Sequence, residues 1–241
     1  CIVQHPLINR AAGVVRRALV DAGIAPYAES VHHGLARYLQ VVVERSSGSA
    51  QLVIVGNSPT VEPLTACLEL IRGRLGEELH SLWFNAQCER TNTILGREFT
   101  HWCGPPSVVE RFGGAAVHYP PGAFGQNNLD IAERIVEHVR EQVPAGARVA
   151  EFYAGVGAIG LSVLPRVSRL RLIEISPQSV QGLALGLEAL APVDLNKIEV
   201  IAGSAGTMAS AALGADVVIA DPPRKGLDRE LLQRLVADPP G

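Results

Sequence analysis

The sequence predicts an α/β protein: a doubly wound, mostly parallel sheet in the second half, preceded by a smaller α+β region. From about residue 128 onward, short apolar segments alternate with helical patterns, which is typical of parallel strands covered by helices on both faces. Before the break at Pro120–Gly122, apolar segments follow each other through tight turns, which indicates antiparallel pairing. We therefore place one domain at residues 1–122 and a second at 123–241.

The first domain is predicted to contain a hairpin, a helix and further strands. Residues 34–45 predict a strand, and the turn at 46–49 leads into the apolar segment 52–55 as its hairpin partner. The apolar spacing over residues 60–75 predicts a helix with Thr60 as its N-cap. Two more strands are expected, near residues 82–84 and 115–119.

The second domain is predicted as an alternation of helices and strands. The predicted elements are a helix over 128–142, a strand over 148–153, a helix over 158–165, a strand over 169–175, a helix over 177–190, strands over 198–202 and 216–220, and a helix from Asp228. Only four strands of the parallel sheet are visible, fewer than such sheets usually have. We therefore expect either further chain after Gly241 or a degenerate domain.

Composition narrows the class of protein. With 241 residues, 47% of them apolar, and a formal charge of −3, the chain can bury a sizeable core. No apolar segment approaches the roughly 20 residues that a membrane span needs, and no signal peptide is visible, so we expect the cytoplasm or the matrix of a plastid or mitochondrion. The acidic balance argues against nucleic-acid binding by bulk charge alone, but allows a local basic groove. Oligomeric state is not indicated.

The four cysteines indicate neither a disulfide framework nor a self-contained zinc site. They have no CxxC spacing, and all lie in the first half of the chain. These residues are Cys1, Cys67, Cys88 and Cys103.

A glycine turn and a later carboxylate predict a nucleotide-cofactor pocket. Gly155 and Gly157 follow the first strand of the predicted parallel sheet, where glycines let a ligand approach the backbone and the next helix offers free N–H groups. Glu174 ends the next strand about twenty residues later, where a ribose diol would meet its acceptor. The alternative is that Glu174 caps the helix that starts at Ser176.

The loop at Asp221–Pro223 distinguishes between cofactors. The glycine turn alone also fits a nicotinamide dinucleotide, so an NAD-dependent oxidoreductase stays an alternative. A rigid acidic loop after the fourth strand suits methyltransferases that act on bases, where it forms the substrate platform. Arg224 and Lys225 follow in place of a stacking aromatic residue, which favours contact with phosphate or with charge on a ring oxygen. A solvated pair at a helix start is the alternative.

With these motifs, residues 120–236 resemble the RNA (uracil-C5)-methyltransferase family, which forms 5-methyluridine in tRNA and rRNA. The first half is similar to the family's central, RNA-facing domain, more loosely, at residues 35–40 and 92–96. The resemblance rests on Phe124-Gly-Gln-Asn-Asn128, Glu151-Phe-Tyr-Ala-Gly-Val-Gly157, Ile173-Glu174 and Asp221-Pro-Pro-Arg-Lys-Gly226. Without the resemblance, Phe124, Gln126 and Asn128 also fit a hydrophobic staple and caps at a helix start.

The resemblance implies S-adenosyl-L-methionine as cofactor and RNA as partner. The implied cofactor-binding residues are Gln126, Tyr153, Gly155, Gly157, Glu174, Ser204 and Asp221. The implied substrate-facing residues are Asn128, Pro222 and Arg224. Two positions depart from the family pattern: Ala158 stands where relatives often have Asn, and Ser204 stands where many methyltransferases place an acid near adenine. Weaker cofactor binding is therefore expected.

The family's mechanism needs a thiolate that adds to uracil C6 and a base that removes the C5 proton. In the family, both groups follow the Asp-Pro-Pro-Arg loop, but this sequence has no cysteine after Cys103. We therefore assign no catalytic residue and expect the Cys nucleophile and Glu base beyond Gly241. A non-catalytic RNA-binding or assembly subunit with a methyltransferase fold is the alternative.

The segment Cys1–Pro6 is similar to the last cysteine region of an iron–sulfur motif found in some family members. One cysteine cannot hold a 4Fe–4S cluster, so a cluster would need ligands from a longer protein. A cysteine without any metal role is an equal alternative.

Overall fold

The computed structural model describes residues 4–241 and divides into two compact units. The first unit extends to Val108, and the second runs Val109–Gly241. The sequence placed the boundary later, at Gly122, because the prolines there end a strand pattern. The division falls earlier because a strand over 115–119 packs against helices of the second unit.

The first unit is a four-stranded sheet with two long helices. Its elements are α1 (Pro6–Asp21), β1 (Ala36–Val43), β2 (Ala50–Gly56), α2 (Thr65–Leu75), β3 (Leu79–Ala86) and β4 (Glu98–Cys103). The sheet order is β1-β2-β3-β4; β2 and β3 are parallel, and the two outer pairs are antiparallel. Strand β2 is buried along its whole length because it lies inside the sheet. The hairpin of β1 and β2 is confirmed, whereas α1 and β4 were not predicted.

The start of α2 differs from the sequence prediction. A 3₁₀ turn over Glu62–Leu64 precedes the α-helix, which begins at Thr65. The expectation that Thr60 is the N-cap is therefore wrong, and no side chain caps α2 at its own N-cap, Leu64. The 3₁₀ turn arises where Pro63 fixes the backbone.

The second unit contains the parallel sheet. Its elements are β5 (Val108–Phe112, which begins at the unit boundary), β6 (Ala115–Tyr119), α3 (Leu129–Gln142), β7 (Arg148–Phe152), α4 (Ala158–Val163), β8 (Arg169–Glu174), α5 (Pro177–Glu188), α6 (Pro192–Leu195), β9 (Ile198–Ala202), β10 (Val217–Ala220) and α7 (Arg229–Ala237). Strands β5 and β6 pair separately as a two-stranded sheet. Strands β7 to β10 form a parallel sheet in the order β10-β7-β8-β9. The α/β prediction is confirmed.

Both faces of this parallel sheet are covered, as the nearly continuous apolar strands require. Leu170 and Leu172 of β8 pack into a cluster with Leu161 and Leu183 from the helices on one face. The other face packs a second cluster against the 3₁₀ turn over Ala209–Ala212 and against α7. No helix within residues 4–241 combines the length and the apolar character that crossing a bilayer would need.

Candidate functional site

The strand order creates a crevice at one edge of the parallel sheet. Strands β8 and β9 lie on one side of β7, and β10 lies on the other, so the order reverses between β7 and β10. Ligands of open α/β sheets bind at the carboxyl ends of strands beside such a reversal. The four loops that follow these strands carry the predicted motifs, at residues 153–157, 174–176, 203–207 and 221–228.

The loop after β7 is a turn that depends on left-handed backbone. Tyr153, Gly155 and Gly157 have φ of 59°, 57° and 83°. A Cβ on Gly157 would lie 2.5 Å from Leu183 Cδ2, whereas one on Gly155 would meet nothing within 4 Å. Tyr153 is thus a non-glycine residue in a strained conformation. Gly155 leaves open space above the turn, as a cofactor cradle requires.

Glu174 lies at the end of β8 and joins two neighbouring loops. Its Oε2 accepts a hydrogen bond from Gly155 N at 2.7 Å, and its Oε1 accepts bonds from Ile175 N at 2.9 Å and Ser176 N at 2.6 Å. Ser176 itself is the N-cap of α5, and its hydroxyl accepts from Ser179 N. Glu174 therefore holds the backbone before the helix rather than capping it. A carboxylate accepts about four hydrogen bonds, so capacity for a hydroxyl ligand remains.

Glu151 is a functional candidate that the sequence reading missed. It is 3% exposed, and its Oε2 has no hydrogen-bond partner in the described chain. Burial raises its pKa to about 8; a bond from the Gly160 backbone opposes this shift, and the charges of Asp221 and Glu174 add to it. An acid within an otherwise apolar buried strand was the available signal.

The loop after β10 presents the predicted acidic platform. Asp221 is exposed, two prolines follow it, and a turn closes where Gly226 N donates to Pro223 O at 2.8 Å. Arg224 is also exposed, and Pro222 is half-buried. The prolines restrict the backbone here, as the sequence indicated.

The loop after β9 holds Ser204 in a local turn. Its hydroxyl accepts from Thr207 N at 3.1 Å and pairs with Thr207 Oγ1 at 2.8 Å. A hydrogen bond from adenine to this hydroxyl would have to form beside the two that Ser204 already makes with Thr207. Ala158, the other position that departs from the family pattern, is the first residue of α4 and carries no polar atom on its side chain.

The segment before α3 contains the three polar and aromatic positions of the Phe-x-Gln-x-Asn pattern. Asn128 is the N-cap of α3, and its Oδ1 accepts from Ile131 N at 3.2 Å. Gln126 is exposed, and Phe124 is 73% exposed, so Phe124 does not act as a hydrophobic staple. The capping alternative holds for Asn128 alone, and Gln126 stays a predicted cofactor contact.

The structure gives no metal site within residues 4–241, where no three metal-ligating side chains cluster. Cys1, the predicted remnant of an iron–sulfur motif, lies outside the described residues. Cys67, Cys88 and Cys103 are free thiols of the first unit.

The sequence model of the methyltransferase small domain matches residues 114–240, which covers the whole parallel sheet and its loops. The chain belongs to this methyltransferase family. The family assignment favours methyl transfer over the nicotinamide alternative at the glycine turn.

The small-domain methyltransferase is also similar to longer proteins. An uncharacterized RNA methyltransferase of Protochlamydia amoebophila is 37% identical over 98% of this chain and 63% of its own length. One from Nostoc is 28% identical over 100% of this chain and 52% of its own length. The tRNA (uracil-54, C5)-methyltransferase of Pyrococcus abyssi, solved with S-adenosyl-L-homocysteine, superposes with a TM-score of 0.76 at 20% identity, over 96% of this chain and 55% of that one. The chain thus spans less than two thirds of each.

Proposed function

We propose that this methyltransferase chain holds S-adenosyl-L-methionine and belongs to an enzyme that methylates uracil C5 in RNA. The observation that carries the proposal is the crevice between β7 and β10. There the glycine turn, Glu174 and the Asp221 loop all follow the carboxyl ends of adjacent strands. This is where doubly wound sheets bind their ligands.

The residues present fit this cofactor. Open space at Gly155 admits a ligand against the turn, and Glu174, which already accepts three hydrogen bonds, keeps the capacity to accept about one more from a ribose hydroxyl. Tyr153 and Gln126 would line the methionine side, and Asp221 would face it across the crevice. When bound, the cofactor supplies an electrophilic methyl group. The carboxylates of Asp221 and Glu174 together favour a cationic ligand over a neutral one.

RNA and uracil enter the proposal through similarity and through the loop chemistry. The relatives from Protochlamydia and Nostoc are called RNA methyltransferases, and the Pyrococcus protein is a tRNA uracil-C5 methyltransferase. Arg224 and Lys225 follow the acidic platform, where phosphate or a ring oxygen of the base would lie. Asn128 and Pro222 would border the same base.

Uracil C5 becomes nucleophilic when a thiolate adds to C6; the resulting enolate takes the methyl group, a base removes the C5 proton, and the thiol leaves. Burial raises the pKa of Cys67 to about 11 and also raises that of Cys103, so neither thiol is prepared as a thiolate. Cys88 lies in the exposed loop after β3. The proposal therefore expects the nucleophile and the base from residues after Gly241 in a longer protein.

Calorimetric titration with S-adenosyl-L-homocysteine and, separately, with NADH tests the cofactor. We expect micromolar binding of the first ligand only, and a loss of about tenfold or more in Glu174→Ala, because a charge-assisted contact is removed. Glu199→Ala removes an exposed carboxylate from the neighbouring strand β9 and serves as control. Stronger NADH binding would support an oxidoreductase, and no binding of either ligand would support the non-catalytic subunit.

RNA contact is tested separately, by binding of a uridine-containing single-stranded RNA in the presence of S-adenosyl-L-homocysteine. Arg224→Ala should weaken binding, because Arg224 would lose its contact to the substrate. Arg134→Ala, an exposed arginine of α3, is the matched control. Equal RNA affinity of the two variants would contradict a substrate role for the Asp221 loop.

A further inference from the structure

Asp228 has an unusual hydrogen-bonding arrangement at the start of α7. It occupies the N-cap, with φ −62° and ψ 142°, but its side chain makes no capping bond to the helix. Instead its Oδ2 accepts from Gly206 N at 3.2 Å, and its Oδ1 accepts from Lys225 Nζ at 3.0 Å. Its backbone N donates to the Tyr153 hydroxyl at 2.8 Å. We call these four residues the Asp228 cluster.

Two other N-caps of the same unit use their side chains in the ordinary way. Asn128 accepts from Ile131 N, and Ser176 accepts from Ser179 N. An aspartate at an N-cap normally binds an amide of the first turn and thereby stabilises its helix. The Asp228 carboxylate instead binds groups of two loops outside the helix. Helix stability therefore does not explain this side chain.

The Asp228 cluster joins three of the four loops that border the crevice. Tyr153 belongs to the loop after β7, Gly206 to the loop after β9, and Lys225 to the loop after β10. Two of these positions are constrained in their own right. Tyr153 has the strained φ of 59°, and a Cβ on Gly206 would lie 2.9 Å from Glu230 Oε2 and 3.3 Å from Asp228 Cβ.

We propose that Asp228 is a positioning residue that couples occupancy of the cofactor pocket to the order of the loop presenting Asp221 and Arg224. The inference rests on the proposed function. A ligand held against the turn after β7 and the loop after β9 restrains Tyr153 and Gly206. Both residues bind Asp228, which fixes the chain directly after the Asp221 loop. Binding of the cofactor would thereby stabilise the loop that forms the substrate platform.

The test combines calorimetry with hydrogen exchange of the 241-residue chain. Asp228→Ala and Tyr153→Phe should each lower affinity for S-adenosyl-L-homocysteine by about tenfold, because a link between loops is lost. They should also abolish ligand-induced protection of amides 224–227. Asp194→Ala is the matched control, since Asp194 forms the same i,i+3 pair with Lys197 at 3.1 Å. It should change neither affinity nor protection, although its melting temperature shifts similarly.

The outcomes separate this proposal from the proposed function. Failure of the wild-type chain to bind S-adenosyl-L-homocysteine would overturn the cofactor assignment and the coupling with it. Wild-type binding together with unchanged affinity and protection in Asp228→Ala would overturn the coupling alone. Weaker binding in Tyr153→Phe only would mean direct cofactor contact and would also overturn it. If Asp228→Ala unfolds, Gly206→Ala disturbs the same cluster from the loop after β9 and should give the same loss of protection.

Discussion

Two buried polar side chains near the ends of central strands show how differently the two units use such positions. Asn85 in β3 is fully buried, and Glu151 in β7 is 3% exposed. Asn85 Nδ2 donates to Gly96 O and Glu98 O at 3.0 Å, and its Oδ1 accepts from Gly96 N at 2.7 Å. Glu151 Oε2 has no partner among residues 4–241. Asn85 closes a loop onto its sheet, whereas Glu151 keeps one carboxyl oxygen, Oε2, without a partner.

The surroundings extend this difference. In the first unit, Gln87 Nε2 donates to Thr93 O, and Arg37 donates to the carbonyls of Gln87 and Glu89, so that the loop after β3 is tied down repeatedly. In the second unit, the acids near Glu151 raise its pKa further. A buried polar group is costly unless it is paired. The paired side chain of Asn85 therefore serves the fold, whereas packing within the second unit does not account for the unpaired oxygen of Glu151.

The largest effect is expected for Asn85→Ala. The change removes three hydrogen bonds, which the buried amide makes with the Gly96 N–H and with the carbonyls of Gly96 and Glu98, and we expect a loss of about 4 kcal/mol in the free energy of unfolding of the first unit. Urea denaturation followed by tryptophan fluorescence measures this, because both tryptophans, Trp83 and Trp102, lie in that unit. Affinity for S-adenosyl-L-homocysteine should not change. A loss below about 1 kcal/mol would mean that water replaces these bonds, and the contrast with Glu151 would disappear.

A smaller and pH-dependent effect is expected for Glu151→Gln. In the unfolded chain the carboxyl titrates near its usual pKa of 4.5, whereas burial raises the folded pKa to about 8. Between these values the folded state binds more protons, so stability falls as pH rises through this window. The amide cannot ionise, and the variant should gain on the order of 3 kcal/mol over wild type between pH 5 and pH 8.

Urea denaturation followed by far-ultraviolet circular dichroism at the two pH values measures the gain. The fluorescence transition of the first unit provides an internal control, since neither tryptophan lies in the second unit. If the unfolding transition of the second unit in the wild-type chain does not depend on pH, the carboxyl group of Glu151 has a partner in solution. Asn85 and Glu151 would then both be paired buried polar groups, and the contrast between the two units would be lost.

The sequence predicted the buried strands of the second unit better than the elements of the first unit. The alternation of apolar strands with helices predicted every strand of the parallel sheet, because strands buried on both faces need apolar residues throughout. Strand β4 was missed, since none of its six residues is buried and its polar and apolar residues do not alternate regularly. Helix α1 was missed although its apolar residues Leu7, Ala11, Val14 and Ala18 follow helical spacing.

The site was only partly readable for a related reason. The motifs located the turn, Glu174 and the Asp221 loop, because glycines, strand-end acids and prolines act locally on the backbone. The bond between Tyr153 and Asp228 joins residues 75 positions apart, and local patterns carry no signal for it. The pKa of Glu151 likewise depends on burial by residues from several elements. The roles of Gln126, Ser204 and the other cofactor residues stay predictions.

The smallest expected change in stability comes from a matched pair of glycines at opposite ends of β7. Gly146 and Gly155 have φ of 78° and 57°, and an added Cβ would meet nothing within 4 Å at either position. Gly146→Ala and Gly155→Ala should therefore cost similarly, about 1 kcal/mol each, from the left-handed backbone alone. Calorimetry of unfolding and of S-adenosyl-L-homocysteine binding on both variants measures the two quantities side by side.

The two glycine variants should differ only in their affinity for S-adenosyl-L-homocysteine. At Gly155 the new methyl group enters the open space above the turn, so affinity should fall by about tenfold or more, as expected when a ligand is displaced from its contacts. At Gly146, which precedes the amino end of β7, affinity should stay at the wild-type value. Equal affinities in the two variants would mean that the space at Gly155 is not a cradle. The loop after β7 would then have no space for a ligand, and it would not differ in this respect from the hydrogen-bonded loop after β3 in the first unit.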